Sequence, residues 1–193
     1  MEAFHTLQGE GAFTGQAAFF IRLAGCDVGC TWCDVKESWD ATAHPHRSVS
    51  DLLADALLHP SRIVVVTGGE PFLHNLNELT HTFRSAGFRT HVETSGSAPV
   101  SGTWDWFCLS PKKFKPALPA AYRAAQELKV VVFNRHDIQW AEEQAALTGP
   151  ACLLYLQPEW SKREPMMPLI VAHAMRDPRW RVSLQSHKYL NIP

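Results

Sequence analysis

Residues 25–34 have the sequence GCDVGCTWCD, which places three of the chain's five cysteines on one short stretch with the spacing C-x3-C-x2-C. An apolar run, residues 17–23 (AAFFIRL), comes directly before it and has the composition of a buried β-strand. The cysteines are therefore predicted to lie on a loop at the C-terminal end of that strand. In parallel α/β folds this end of the sheet is where active sites are built.

Three closely spaced thiolates suit two kinds of metal centre. A [4Fe–4S] cluster held by three cysteines leaves one iron free to bind a small molecule. Structural zinc usually takes four protein ligands, commonly from C-x2-C pairs, so a zinc site here would need His44 or His46 as its fourth ligand. A disulfide fits poorly, because three neighbouring cysteines leave one over. The spacing favours the cluster and leaves a Cys3His zinc site as the alternative.

The rest of the chain alternates predicted strands and helices. Strands are predicted at residues 17–23, 62–66, 89–94, 104–109, 126–133 and 151–156, with a last short strand at 181–184. Helices are predicted at residues 48–58, 75–86, 137–147 and 168–175. This alternation predicts an α/β fold with about six parallel strands. Because a full eight-fold barrel typically takes about 250 residues, the 193 residues predict an open partial (β/α) barrel forming one domain, 1–193.

Composition excludes several classes of protein. The 18 basic and 19 acidic residues are balanced, so no nucleic-acid surface is indicated. The sequence has no apolar run near the length of a membrane span and no basic-then-apolar start, so neither a membrane span nor a signal peptide is expected. Five cysteines, three of them on one loop, fit a reducing compartment better than a secreted disulfide framework. A cytoplasmic location is therefore expected.

Several motifs carry a family resemblance. C-x3-C-x2-C after a first strand is similar to the signature of the radical S-adenosylmethionine (SAM) superfamily. Together with it, four further runs resemble one family within that superfamily, the 7-carboxy-7-deazaguanine synthases. These runs are FHTLQGEG at 4–11, TGGEP at 67–71, SPK at 110–112 and LQSHKYLNIP at 184–193. The cysteine motif alone indicates only the superfamily, whereas the four runs together are specific.

The resemblance implies a chemistry and a set of partners. It implies a [4Fe–4S] cluster on Cys26, Cys30 and Cys33, with SAM chelated to the open iron and cleaved to a radical that takes hydrogen from C6 of 6-carboxy-5,6,7,8-tetrahydropterin. Ring contraction with loss of ammonia would then give 7-carboxy-7-deazaguanine, a precursor of 7-deazapurines such as queuosine. No catalytic side chain is expected, because the cofactor carries the difficult step. The family also suggests a homodimer and a flavodoxin-type electron donor.

The resemblance also assigns residues to the two ligands. The residues expected to position SAM follow the strands: Trp32, Asp34, Gly69, Ser95, Ser110, Pro111, Lys112, Gln157 and Pro158. The residues expected to position the pterin are Leu7, Gln8, Gly9, Glu10, Arg22, Thr67, His187 and Pro193. The N-terminal and C-terminal segments are expected to close the site, with the terminal carboxylate of Pro193 meeting the aminopyrimidinone ring. In the superfamily the TGGEP glutamate, here Glu70, helps to hold the SAM amino group.

Four positions leave alternatives open. Arg22, alone in an apolar strand, either forms a structural ion pair or binds a substrate carboxylate through its planar guanidinium. Lys129, isolated among valines, either extends its ammonium to solvent or faces the barrel mouth. Glu93 either bonds the ribose or methionine end of SAM or is a solvated polar group at a strand end. Val35 stands where the family commonly has a magnesium-binding threonine, which leaves carbonyls, water or Asp34 as ligands for a hard cation.

Two other classes of protein compete with this interpretation. A glycyl-radical-activating enzyme uses the same cysteine motif but acts on a partner protein, and it should carry a docking groove. A non-catalytic zinc or cluster-binding protein has no reason to keep the TGGEP strand end or the polar tail. Iron and sulfide analysis distinguishes a zinc-binding protein from one that holds a cluster. Pterin turnover distinguishes a synthase from a glycyl-radical-activating enzyme.

Overall fold

The computed structural model describes residues 2–193 and contains one eight-stranded sheet whose strands follow one another in sequence order. The strands are β1 (Glu2–Leu7), β2 (Ala17–Leu23), β3 (Ile63–Gly68), β4 (Arg89–Thr94), β5 (Trp106–Leu109), β6 (Glu127–Val132), β7 (Leu153–Pro158) and β8 (Trp180–Val182). β1 is antiparallel to β2, and every later pair is parallel. β1 and β8 stand at opposite ends of the strand order, so the sheet is an open partial barrel, as predicted.

The described residues form six α-helices, of which the first five lie between parallel strands and the last follows β8. They are α1 (Val49–Leu57), α2 (Asn77–Ser85), α3 (Pro119–Ala124), α4 (His136–Ala145), α5 (Arg163–Arg176) and α6 (Ser186–Leu190). The main hydrophobic core joins residues of α1, α2, α4 and α5 to one face of the sheet. No helix in residues 2–193 is both long enough and apolar enough to cross a membrane.

Alternation along the strands separates this core from a polar inner face. On β6, Leu128 and Val130 are completely buried in the main core. Their neighbours Glu127 and Lys129 point to the other face because successive strand side chains alternate. The same period places polar side chains of β2, β3, β4 and β7 on the inner face, where a ligand site can form.

Local sequence signals account for the helix ends. The Ser48 hydroxyl accepts a hydrogen bond from the Asp51 backbone N–H at 3.1 Å, which confirms the predicted start of the first helix. Gly87 follows α2 with a φ of +83°, the conformation expected of a C-terminal cap.

The structure corrects the predicted elements in three places. No strand is predicted before residue 17, but residues 2–7 form β1, whose Phe4 ring stacks on Phe20 of β2 with centroids 5.6 Å apart. The sheet has eight strands, because β1 adds to the six predicted parallel strands and the predicted last short strand. The helix predicted at 168–175 begins earlier, at Arg163, and contains Pro168 in its interior, although proline is disfavoured there. The short helix α3 was not predicted.

Candidate active site

A cavity of about 270 Å³ lies at the C-terminal edge of the parallel strands, on the polar inner face. The three cysteines, every residue predicted to position the pterin, and every residue predicted to position SAM except Pro111 line this one cavity. Pro111 is buried and does not line it, so its side chain serves packing at the end of β5. Segments far apart in sequence therefore converge on a single site.

The cysteine loop leaves β2 and owes its shape to two glycines. Gly25 has a φ of +102° and Gly29 a φ of +72°, a region that glycine enters without steric cost. The Gly25 N–H donates to the Ser38 carbonyl at 2.6 Å, and the Cys33 N–H donates to the Cys30 carbonyl at 3.1 Å. The loop is thereby folded back on itself with its three free thiols along the cavity wall.

The turn that ends β3 supports the cysteine loop directly. The Glu70 backbone N–H donates to the Gly25 carbonyl at 2.8 Å. A Cβ atom at Gly69 would lie 2.2 Å from the Gly25 oxygen and 3.0 Å from the Cys26 Cβ. Real Cβ atoms do not approach backbone oxygen so closely, so this close contact requires glycine at position 69.

The Glu70 side chain organises this end of the sheet from inside the protein. It is fully buried, and it accepts hydrogen bonds from the Phe72 N–H at 3.1 Å, the Thr94 hydroxyl at 2.6 Å and the Ser95 N–H at 2.9 Å. It does not line the cavity. The structure therefore places this glutamate in the support of the β3 and β4 ends, whereas the family resemblance implied a contact with SAM.

The donor set fits an iron–sulfur cluster. Burial raises the pKa of the Cys26 and Cys30 thiols, so ionisation would come from metal binding, which deprotonates a coordinating thiol. Within residues 2–193, no three or more His, Cys, Asp or Glu side chains are arranged to hold a single metal ion. The His44 ring nitrogen Nε2 lies instead 2.8 Å from the Glu37 carbonyl oxygen. Three free thiols on one cavity wall therefore fit a [4Fe–4S] cluster held by three cysteines, while His44 is turned to a backbone carbonyl.

Several residues predicted to position SAM are themselves held by neighbours. The Lys112 ammonium donates to the Ser110 hydroxyl at 2.7 Å and lies 5.9 Å from the centre of the Trp32 indole. Burial lowers the pKa of Lys112. The Gln157 side-chain oxygen accepts from the Ser183 hydroxyl at 2.8 Å. The ends of β5 and β7 thus present fixed polar groups on one side of the cavity.

Arg22 takes part in an ion pair, the first of its two alternatives, and its binding of a substrate carboxylate stays a prediction. It lies beside Thr67 in the register of β2 and β3, and both residues line the cavity. Its guanidinium forms an ion pair with Glu2 and stacks 5.3 Å from the centre of the Phe4 ring. The Glu2 carboxylate is largely exposed, so this pair is weak, and the guanidinium keeps donors for a ligand.

A polar network of Gln8, Glu10, Glu93 and Lys129 lies along the inner wall of the cavity. The Lys129 ammonium pairs with Glu10 and, at 2.9 Å, with Glu93. The Gln8 amide donates to Glu93 at 2.7 Å. Lys129 therefore faces the barrel mouth, the second of its two alternatives. Glu93, considered as a SAM contact, accepts its hydrogen bonds from Lys129 and from Gln8, a residue predicted to bind substrate.

The C-terminal tail folds over this network. The Ser186 N–H donates to the Gly9 carbonyl at 2.9 Å, and the Gln185 amide donates to Glu10 at 3.0 Å. The His187 ring packs so closely on Gly9 that a Cβ there would lie 2.1 Å from Nδ1. Burial lowers the pKa of His187, which favours its neutral form. Pro193 at the chain end also lines the cavity.

Four polar side chains that line the cavity make contacts that the sequence did not indicate: Glu93, Lys129, Gln185 and Lys188. The unusual polarity of the tail indicated that it is ordered, but it did not indicate partners. Each of these side chains contacts a segment at least 36 positions away in the chain. Spacing along one sequence carries no signal for such contacts.

An open (β/α) barrel whose first parallel strand leads into C-x3-C-x2-C, with a glycine-rich turn packed against it, defines a radical SAM protein. A sequence profile of the Radical SAM superfamily matches residues 20–112. The 7-carboxy-7-deazaguanine synthase of Flavobacterium psychrophilum is 54% identical over 193 residues, which cover 100% of this chain and 91% of that protein. The Escherichia coli K12 synthase is 38% identical over 218 residues, covering 99% and 97% of the two chains.

The fold agrees with the same family. The crystal structure of QueE from Escherichia coli superposes with a TM-score of 0.85 at 37% sequence identity, covering 96% of this chain and 92% of that one. The chain belongs to the 7-carboxy-7-deazaguanine synthase family of radical SAM enzymes.

Proposed function

We propose that this chain converts 6-carboxy-5,6,7,8-tetrahydropterin to 7-carboxy-7-deazaguanine with loss of ammonia, a carbon–nitrogen lyase reaction in 7-deazapurine (queuosine precursor) synthesis. The observation that carries the proposal is the convergence of the three cysteines, the TGGEP turn and both polar chain ends on one cavity. Family membership at 54% identity over the whole chain supports it independently. Residues 1–193 would act as one catalytic domain.

Cys26, Cys30 and Cys33 would hold a [4Fe–4S] cluster, and the cavity side formed by the ends of β3, β4, β5 and β7 would bind SAM. When bound, these cofactors supply one-electron hydrogen-atom abstraction, a chemistry that no side chain provides. The protein residues that would position SAM are Trp32, Asp34, Gly69, Ser95, Ser110, Lys112, Gln157 and Pro158, with Pro111 supporting them by packing.

The opposite wall would bind the pterin. The Arg22 guanidinium is suited to the substrate carboxylate, because a planar fork of donors matches carboxylate geometry. Glu10, with Gln8 beside it, and the terminal carboxylate of Pro193 offer acceptors to the amino and ring N–H groups of the aminopyrimidinone. Leu7, Gly9, Thr67 and His187 complete this wall.

The closed ends of the chain would protect the reaction. The tail covers the N-terminal segment through hydrogen bonds from Ser186 and Gln185. A covered cavity excludes water and other hydrogen donors from a radical reaction. This role for the two chain ends explains why a C-terminus, which usually frays, is held by specific contacts.

The residues at the expected magnesium position do not offer a preformed side-chain site. Val35 lines the cavity, but its side chain has no oxygen atom, and its backbone carbonyl accepts from the Ser38 hydroxyl at 2.7 Å. The neighbouring Asp34 carboxylate accepts from the Lys188 ammonium at 2.8 Å. A hard cation prefers several oxygen ligands. We therefore assign no step of this reaction to magnesium.

A homodimer, a flavodoxin-type electron donor and a cytoplasmic location complete the proposal. All three rest on resemblance to the family, and the five free cysteines support the last because a reducing compartment keeps thiols free.

The test is an anaerobic assay of the reconstituted enzyme with SAM, reductant and 6-carboxytetrahydropterin, with products identified by mass spectrometry. We expect 7-carboxy-7-deazaguanine and 5′-deoxyadenosine together. If 5′-deoxyadenosine forms without the deazaguanine, the superfamily chemistry holds and the substrate assignment is wrong. A protein that binds zinc and no iron or sulfide would contradict the whole proposal.

A further inference from the structure

The ammonium of Lys129 joins two carboxylates that belong to different parts of the cavity. Lys129 comes from β6, Glu93 from β4, and Glu10 from the loop after β1. We infer that Lys129 is a positioning residue for the pterin: it holds Glu10 and Glu93 where both carboxylates accept hydrogen bonds from the N–H groups of the substrate. This inference rests on the proposed function.

Burial makes the ion pairs of Lys129 obligatory for the fold of this wall. Its side chain is only 4% exposed, and both carboxylates lie largely inside the protein, with side chains 16% and 20% exposed. An isolated charge buried in this way is strongly unfavourable, whereas a paired one is tolerated. The strand therefore brings a cation to a point where it is stable only if both acids are present.

The electrostatics keep Lys129 and Glu10 ionised. Lys129 lowers the pKa of Glu10 to about 2 although burial alone would raise it. Glu10 and Glu93 together raise the pKa of Lys129 well above its usual value. A carboxylate that stays ionised is an acceptor only, which matches a ligand edge that carries donors only.

The carboxylates of Glu10 and Glu93 can each accept further hydrogen bonds from a ligand. The Glu10 oxygens accept from Gln185 and Lys129, and the Glu93 oxygens accept from Gln8 and Lys129. Each carboxylate oxygen has a second lone pair. The protein therefore fixes the direction of both carboxylates with one bond per oxygen and leaves acceptor capacity towards the cavity that both residues line.

Lys129 also determines where the N-terminal loop sits. Glu10 is 119 positions away in sequence, and the Gly9 carbonyl beside it receives the Ser186 N–H of the tail. Without the ammonium, the Glu10 and Glu93 carboxylates would face each other in a cavity wall that is largely shielded from water. Their repulsion would displace the loop that carries Glu10 rather than the strand that carries Glu93. Loss of Lys129 should thus weaken pterin binding more than SAM binding.

The experiment compares Lys129→Met with Lys129→Arg in the reconstituted holoenzyme, with Arg84→Met as control. Arg84 also pairs with a carboxylate, that of Asp105, and neither residue lines the cavity. Anaerobic calorimetry with 6-carboxytetrahydropterin and with SAM, iron content, kcat and KM, and thermal unfolding are measured for each protein.

We expect Lys129→Met to raise the pterin Kd and KM about tenfold to hundredfold, as for loss of hydrogen bonding to charged groups, with the SAM Kd and iron content unchanged. Lys129→Arg should recover most of the affinity, and Arg84→Met should change neither Kd. A Lys129→Met protein that is less stable but binds pterin as the wild type does would show a structural role only and overturn the inference.

A double variant covers the case in which Lys129→Met does not fold. Adding Glu93→Gln removes one of the two unpaired anions, so Lys129→Met/Glu93→Gln should fold. We expect it to bind pterin more weakly than Glu93→Gln alone, because Glu10 has still lost its ammonium. Equal affinities would overturn the inference, and so would a wild type that does not bind pterin. If the wild type binds pterin without forming product, the proposed function is wrong, while the binding comparison still decides the role of Lys129.

Discussion

The Lys188 ammonium donates a hydrogen bond to the Asp34 carboxylate at 2.8 Å, which ties the C-terminal tail to the cysteine loop. The two residues are 154 positions apart. The Lys188 ammonium also lies 5.2 Å from the centre of the Trp160 ring, which in turn packs edge-on against Tyr189. One side chain thus connects the cluster loop, the turn after β7 and the tail.

Substitution of Lys188 by methionine should loosen this closure without unfolding the protein. The Asp34 side chain is 58% exposed, so the ion pair contributes little to global stability. We expect residues 185–193 to exchange amide hydrogen faster, and kcat/KM to fall by up to about fivefold. Exchange measured by mass spectrometry checks the first effect. Unchanged exchange in the tail, together with a lower kcat/KM, would show that Lys188 acts through some contact other than this tether.

Magnesium dependence should be created by one hydroxyl group at position 35. The side chain of Val35, a residue that lines the cavity, has no oxygen atom, so the wild-type rate should be the same with added magnesium and with a chelator present. Val35→Thr keeps the shape and adds one oxygen ligand, which a hard cation accepts. We expect magnesium to stimulate that variant alone. Val35→Ala is the matched control, and stimulation of it by magnesium would place the cation on other ligands.

The fold followed from the sequence wherever one segment carries its own signal. The β-branched run of β3, the Ser48 cap and the position of the cysteines on a loop after β2 each depend on a few residues, and the structure confirms all three. β1 was missed because its mixed sequence, EAFHTL, shows no regular alternation, and it becomes a strand only by pairing with β2. Tertiary pairing of this kind overrides local propensity.

The residues of the candidate site also differ in whether their role depends on local sequence or on distant partners. Motif residues such as Gly69 carry their role in local backbone geometry, so a motif locates them. Glu93, Lys129 and Lys188 act through partners in distant segments, and their sequence neighbours say nothing of those partners. Glu70 shows the converse case: it belongs to a motif, yet its side chain is turned into the protein to bond Thr94 and Ser95.

Addition of one methyl group at Gly69 should disturb cluster assembly. In Gly69→Ala the new Cβ would meet the Gly25 carbonyl, so the cysteine loop must shift. We expect iron and sulfide content after reconstitution to fall severalfold, as measured by metal analysis. Gly149→Ala is the control, since a Cβ there meets nothing within 4 Å. Full iron content in Gly69→Ala would show that the cysteine loop can shift and still hold its three thiols in place for the cluster.

His91 should make the stability of the protein depend on pH in the weakly acidic range. The ring is 3% exposed and packs edge-on against Phe13 with centroids 4.5 Å apart. Its Nε2 atom is buried and has no hydrogen-bond partner among residues 2–193. Burial, assisted by Arg89, lowers the pKa of His91 to about 4 from its usual 6.5. The folded protein therefore keeps the His91 ring neutral down to about pH 4, while His91 in the unfolded chain takes up a proton below pH 6.5.

The sign follows from linkage: where the unfolded state binds more protons, the free energy of unfolding falls as pH falls. The loss begins near pH 6.5 and ends near pH 4, below which both states are protonated. Between pH 7.5 and pH 5 it should amount to about 2 kcal/mol. Urea unfolding of wild type and His91→Phe at both pH values tests this, since phenylalanine cannot titrate and every other group is shared. We expect a steeper pH dependence in the wild type; parallel curves for the two proteins would mean that His91 is protonated in the folded state as readily as in the unfolded chain.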